Sequence, residues 1–175
     1  MNLNKTAIMI LGPEATGTKI TQEIMVKCFG CDGYIGRGGI KNRNENFISF
    51  KRSLPAAGVW LDPQNLFDDL QQHGFDDIKL IITTRNWGYI ARSHDRQFAP
   101  RPREETFSMI KRAYEKIFSF LAKTPIPYLM SSYESLISNP ETHIKSIGEV
   151  LNLEPKSYDV CIKNGNLKYD KACQG

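Results

Sequence analysis

Apolar residues along this chain gather into short continuous runs, with stretches of helical spacing between them. The run Ala7-Ile8-Met9-Ile10-Leu11 ends at Gly12, and a second run, Ile78 to Thr84, carries Ile78, Leu80, Ile81 and Ile82. Runs this continuous suit strands buried on both faces of a parallel sheet. Phe47 to Leu54 alternates roughly as a strand does and is stopped by Pro55, and Tyr128-Leu129-Met130 forms a last strand behind Pro125-Ile126-Pro127. Between the strands the spacing turns helical. Ile20, Ile24 and Cys28 follow Gly17; Asp62-Pro63 reads as an N-cap with proline in the first turn of a short helix ending near Gly74; residues 87–98 form another helix. Phe107, Ile110, Tyr114, Ile117, Phe118 and Leu121 mark a long amphipathic helix whose aromatic face packs on the sheet. Asn139-Pro140-Glu141 caps a helix with Ile144, Ile147 and Leu151 on one face. Residues 30–46, with five glycines and no apolar period, predict a mobile loop, and nothing after Pro155 is strongly periodic.

The turn between the first strand and first helix carries the most chemistry. In Gly12-Pro13-Glu14-Ala15-Thr16-Gly17-Thr18-Lys19 the backbone N–H groups of the turn and first helical turn converge on one spot, which suits an anion. The two glycines have the spacing of G-x-x-x-x-G-K-[ST], but Thr18 and Lys19 stand in reversed order. A nucleoside triphosphatase needs the lysine first, to reach the terminal phosphates, and then a hydroxyl on magnesium. What remains is a cradle of amides with the hydroxyls of Thr16 and Thr18, suited to a less charged, metal-free anion such as a sulfuryl donor. The same pattern also serves as a strand-turn-helix corner without a ligand. The second core strand ends in Arg85, a cation where such nucleotidases place a magnesium-binding aspartate. Ligands of open α/β sheets bind beyond the carboxyl ends of the strands, so Arg85 belongs on the rim with the glycine turn.

Length and composition narrow the class. At 175 residues, with 41% hydrophobic and 24% charged residues, the chain predicts one soluble globular domain over 1–175. Its net charge of +4 suits an anionic ligand without requiring one. No apolar run approaches a membrane span and the first residues lack the apolar core of a signal peptide, so the expected location is cytoplasmic, with no membrane partner. Cys28 and Cys31 form a C-x-x-C, while Cys161 and Cys173 stand far off; structural thiols are expected rather than a metal or redox pair.

Three separated pieces resemble the sulfotransferase family, which transfers a sulfuryl group from 3′-phosphoadenosine 5′-phosphosulfate (PAPS). Pro13-Glu14-Ala15-Thr16-Gly17-Thr18 resembles the family's 5′-phosphosulfate loop. Arg85 at a strand end, with Ser93 eight residues later on a helix, resembles its 3′-phosphate motif. Tyr133-Glu134-Ser135-Leu136, with Pro140 beyond it and Leu151-Asn152-Leu153 at the helix end, resembles the segment after the fourth core strand, and Lys51-Arg52-Ser53-Leu54-Pro55 a strand-end "RSLP". The likeness covers residues 6–155.

The resemblance implies an α/β, three-layer fold like that of P-loop NTPases, a central parallel sheet flanked by helices. It implies transfer from PAPS to a hydroxyl or amine of a small-molecule or glycan acceptor, releasing 3′-phosphoadenosine 5′-phosphate (PAP), with no metal and no nucleic acid. By the same likeness Pro13, Ala15, Thr16, Gly17, Thr18 and Lys19 hold the phosphosulfate, Arg85 and Ser93 the 3′-phosphate, and Tyr133 contacts adenine or packs beside it. Trp87 is a second candidate for cofactor contact. The family usually carries a cation two residues before the loop's glycine, where this chain has Ala15. Lys19, or Lys51 and Arg52, could supply the missing charge, since one preorganised donor is worth about 3 kcal/mol at the transition state. A general base is also needed, and His94 and Glu45 are the candidates; His73 and His143 lie remote from the rim. Binding without transfer, and a P-loop small-molecule kinase, are the alternatives. The segment Lys163 to Lys168 is either a lid over the 3′-phosphate or, since it matches no relative's motif, a solvated tail.

Overall fold

The computed structural model describes residues 5–35, 46–97, 100–160 and 162–170. In chain order its elements are β1 (Lys5–Pro13), α1 (Thr18–Phe29), β2 (Asp32–Ile35), β3 (Phe47–Leu54), α2 (Pro63–Gln72) and β4 (Phe75–Thr84). Then follow α3 (Trp87–Gln97), α4 (Arg103–Lys123), β5 (Tyr128–Ser132), α5 (Tyr133–Ser138), α6 (Pro140–Leu151) and α7 (Leu167–Asp170). The five strands form one sheet in the order β2-β3-β1-β4-β5. Every pairing is parallel.

Parallel neighbours need crossover connections, and these put helices on both faces. Strand alternation does the sorting. Ala7, Met9 and Leu11 of β1 face a core shared with Phe67 and Leu70 of α2 and Ala113, Ile117 and Phe120 of α4. Ile8 and Ile10 face a second core with Ile24, Met25 and Cys28 of α1 and Ile144, Ile147 and Leu151 of α6. The molecule is therefore α/β with helical layers on either side of a central parallel sheet, and β1 is buried on both sides, as its unbroken apolar run requires.

Local chemistry sets the element ends. The Asp62 carboxylate accepts from Gln64 N at 3.0 Å, capping α2, with Pro63 at the first helical position. Gly30, in the left-handed region at φ 70°, closes α1. Asn139 precedes α6, though its side chain makes no capping bond, and the helix ends on left-handed Asn152. Three elements depart from the sequence expectation, one of them the short helix α5 at Tyr133–Ser138, where only the end of a strand was expected. Within the glycine-rich stretch expected to be a loop, residues 32–35 pair with β3 as edge strand β2. Past Pro155, where no period is visible, the short helix α7 forms, with Asn166 and Tyr169 buried.

The two thiols of the C-x-x-C are reduced and buried in the second core. Burial pushes the Cys31 thiol up to about 11. Cys161 and Cys173 lie outside the described residues. Among the described residues no three His, Cys, Asp or Glu side chains are grouped to hold a metal ion, and no helix is long and apolar enough to cross a membrane.

Candidate functional site

The turn after β1 sits at the carboxyl end of the central strand, where α1 departs. Its backbone twice enters the left-handed region, at Ala15 (φ 67°) and at Gly17 (φ 102°), the N-cap of α1. Close packing beneath the turn forces it upward. A Cβ on Gly12 would overlap the Thr83 hydroxyl and come within 2.7 Å of the Thr16 hydroxyl and 2.8 Å of the Thr83 carbonyl. Thr16 Oγ1 donates to Pro13 O at 2.7 Å and lies 2.6 Å from Thr83 Oγ1. At 1% exposure Thr16 is a brace under the turn, with its hydroxyl committed inward. Thr18 Oγ1 lies 3.3 Å from Ser53 Oγ, so it joins α1 to the end of β3.

A cleft of about 460 Å³ opens above this turn, lined by Ala15, Gly17, Thr18, Lys19, Arg85, Ser93, Tyr133 and Lys168 among others. Residues from four chain segments thus share one wall: the glycine turn, Arg85 with Ser93, and Tyr133, all expected on the rim, and Lys168 from the segment read as a lid or a solvated tail. Pro13 does not line the cleft; its carbonyl accepts from Thr16. Arg85 is the hub. Its Nη1 donates to Ala15 O at 2.9 Å, and both Nε, at 3.0 Å, and Nη2 donate to Asn166 Oδ1. Its guanidinium carbon lies over the Tyr133 ring, 4.6 Å from the centroid, a cation–π contact. Tyr133 in turn stands beside Gly17, where an added Cβ would meet its ring at 3.0 Å.

Ser93, on α3, is 3% exposed and accepts from Gln97 Nε2 at 3.0 Å. Tyr169 packs beside it. Burial pushes that phenol's pKa up, but hydrogen bonds with Ser93 and Lys168 and the charges of Lys168 and Arg85 outweigh burial and bring it below its ordinary value. A phenol held toward its anionic form reports a local positive potential.

Other candidates fall elsewhere. His94 is one residue from Ser93, so its side chain is turned about 100° around α3. It is 4% exposed and sits with Nε2 3.7 Å from Glu14 Oε2, beside a void of only about 10 Å³. The cleft does not include it. Lys51 and Arg52 alternate across β3. Arg52 faces α2, 4.7 Å over the Phe50 ring, and borders a separate groove of about 470 Å³ with Leu61, Asp62 and Asp69. Burial lowers its pKa, and Asp69 opposes that shift. Lys51 faces α1 instead. Burial, then the charges of Arg52 and Lys19, lowers its pKa, so it is the β3 cation electrostatically joined to the cleft's Lys19. Trp87 packs against Phe107 at 5.6 Å between ring centroids and does not line the cleft. Glu45 lies outside the described residues.

Sequence reasoning reached Asn166 only as part of the segment Lys163 to Lys168, read as a lid or a solvated tail, and missed Tyr169, Tyr89 and Thr83. The signal for Asn166 was present in Asn164-Gly165-Asn166, a turn signature with a side chain able to mimic backbone. Glu134 was quoted only as part of a motif; its carboxylate accepts from Asn86 N at 3.0 Å and so pins the turn after β4 that carries Arg85. No family model matches this chain, and no curated protein matches it.

Proposed function

We propose that this chain is a P-loop-like protein of the sulfotransferase class, binding PAPS in the cleft and passing its sulfuryl group to a hydroxyl or amine acceptor. The observation carrying this reading is that Arg85 and Ser93, eight residues apart in sequence, line the same cleft as the turn Gly17-Thr18-Lys19. The strand order, with the glycine turn after the central strand, supports the P-loop-like assignment. An arginine fork and a hydroxyl suit a phosphomonoester, with charge-assisted bonds about twice as strong as neutral ones. Backbone amides at the N-terminus of α1, with Lys19, suit the sulfuryl end. In transfer, the acceptor oxygen or nitrogen would bond to sulfur as the sulfur–oxygen bond to the 5′-phosphate breaks, PAP leaving with the electron pair. The acceptor's proton passes to a base or to solvent. Lys19, with Lys51 behind it, would stabilise charge on the bridging oxygen in place of the cation that Ala15 lacks.

A second reading, binding without transfer, is favoured by two placements: Ala15 at the family's catalytic cation position, and His94 against Glu14 outside the cleft. Titration with PAP by calorimetry, followed by incubation with labelled PAPS and a panel of alcohols, phenols, amines and glycans, separates the readings. Transfer supports the first. Saturable PAP binding with no transfer, and none gained by Ala15→Lys, supports the second. Absence of PAP binding overturns both.

A further inference from the structure

Residues 163–170 border the cleft, which Gly165 and Lys168 line beside Arg85. Asn166, 4% exposed, accepts from two nitrogens of the arginine fork through one amide oxygen, the approach that an oxygen of a phosphate or sulfate takes on a guanidinium. The segment is held by a small polar set. The Tyr133 hydroxyl donates to Lys163 O at 3.1 Å and accepts from Gly165 N at 2.8 Å, and Asn164 Oδ1 accepts from Asn166 N at 2.9 Å. Gly165 is required there, because a Cβ would stand 2.8 Å from the Tyr133 oxygen. Tyr169 N donates to Asn166 O at 2.8 Å, and the Tyr169 ring lies 6.4 Å from that of Tyr89. The segment's apolar anchor is Tyr169, 6% exposed, while Leu167 is 55% exposed.

We propose that residues 163–170 are a self-inhibitory strap, latched by Asn166 on Arg85, which an anionic group must displace to take the Nε–Nη2 edge of the guanidinium. The latch is a neutral amide, and a phosphate dianion outcompetes it for the same fork because charge-assisted bonds are the stronger. The strap carries Lys163 and Lys168, so once opened it is not repelled by a bound anion. Because the same guanidinium holds Ala15 O, exchange of Asn166 for an anion also reports to the glycine turn. The inference rests on the anion-site reading given above, but it concerns the hold of Asn166 on Arg85 and can be tested apart from any nucleotide.

The test follows trypsin cleavage after Lys163 and Lys168 by mass spectrometry, with and without inorganic pyrophosphate. A small peptide substrate controls for effects on the protease. In the wild-type chain pyrophosphate should speed cleavage at least threefold. Asn166→Ala should be cleaved at that faster rate without the anion and gain nothing from it. Asn166→Asp, which places a carboxylate on the fork, should be cleaved more slowly and resist the anion. Cleavage of the wild type that is indifferent to pyrophosphate or slowed by it overturns the strap, as does Asn166→Ala cleaved at the unstimulated wild-type rate. A parallel PAP titration isolates the underlying reading. Pyrophosphate release of the strap with no PAP binding removes the nucleotide and keeps the strap, whereas PAP binding no tighter in Asn166→Ala than in the wild type removes the strap and keeps the nucleotide.

Discussion

Arg85 Nη1 donates to the carbonyl oxygen of Ala15 across 2.9 Å, joining the end of β4 to the turn after β1. The bond gives Ala15 a reason for its left-handed backbone at φ 67°, since the turn must present that carbonyl to the guanidinium. Arg85 therefore both shapes the turn and offers the cleft its central charge.

Arg85→Ala should weaken PAP binding by roughly 10- to 150-fold, the span set by about 1.5–3 kcal/mol for hydrogen bonds to a charged group. Ser93→Ala removes a neutral hydroxyl worth about 1 kcal/mol, roughly fivefold. Calorimetric titration measures both, and equal losses from the two variants would contradict the division of labour described here.

Lys51 and Arg52 should behave oppositely although adjacent. Lys51→Met, on the α1 side near Lys19, should lower the rate of sulfuryl transfer at least several-fold, or weaken PAPS binding if there is no turnover. Arg52→Met, which opens onto the α2 groove, should leave PAP affinity within about twofold, because Arg52 borders that groove and does not line the cleft. Side-by-side kinetics and titration decide the matter.

Gly12→Ala should destabilise the fold by about 1–3 kcal/mol, the usual cost of forcing a methyl into a packed interior. The obstruction is the Thr83 carbonyl as well as two hydroxyls, and backbone cannot swing aside. Urea denaturation should show a lower midpoint at unchanged slope.

His143 should govern part of the acid limb of stability. Burial lowers its pKa from 6.5, and its Nε2 lies 2.9 Å from Ser131 Oγ. The unfolded chain then binds the proton more readily than the folded one. The contribution is intact above pH 6.5 and is lost as pH falls through the lower folded value. His143→Gln should flatten denaturation midpoints across that window, while an unchanged acid slope would assign it to other groups.

The order of the longer elements, the parallel sheet and the meeting of the glycine turn with Arg85 were legible in the residues, whereas β2, α5 and α7 were not. Short continuous apolar runs bounded by turn residues suit strands buried on both faces, and functional groups at the carboxyl ends of such strands share one rim. β2 escaped notice because a four-residue edge strand with a glycine has no period of its own; it exists through its pairing with β3. His94 follows Ser93 directly and is a candidate for the rim or a packed histidine, because adjacent residues of a helix diverge, and only the docking of α3 determines which of them meets the cleft. Lys51 and Arg52 posed the same problem on a strand, where alternation sends neighbours to opposite faces and the placement of α1 and α2 names those faces.

Local pattern thus determined what this chain is made of: its strands, its helices, and the anion-suited turn at the end of the central strand. Tertiary structure alone decided which polar side chains share a cleft and which are spent as braces. It buried Thr16 beneath the turn and brought Asn166 to Arg85 from 81 residues away. Periodicity records how a segment buries its own apolar face, whereas a hydrogen bond between distant polar groups leaves no period in either segment.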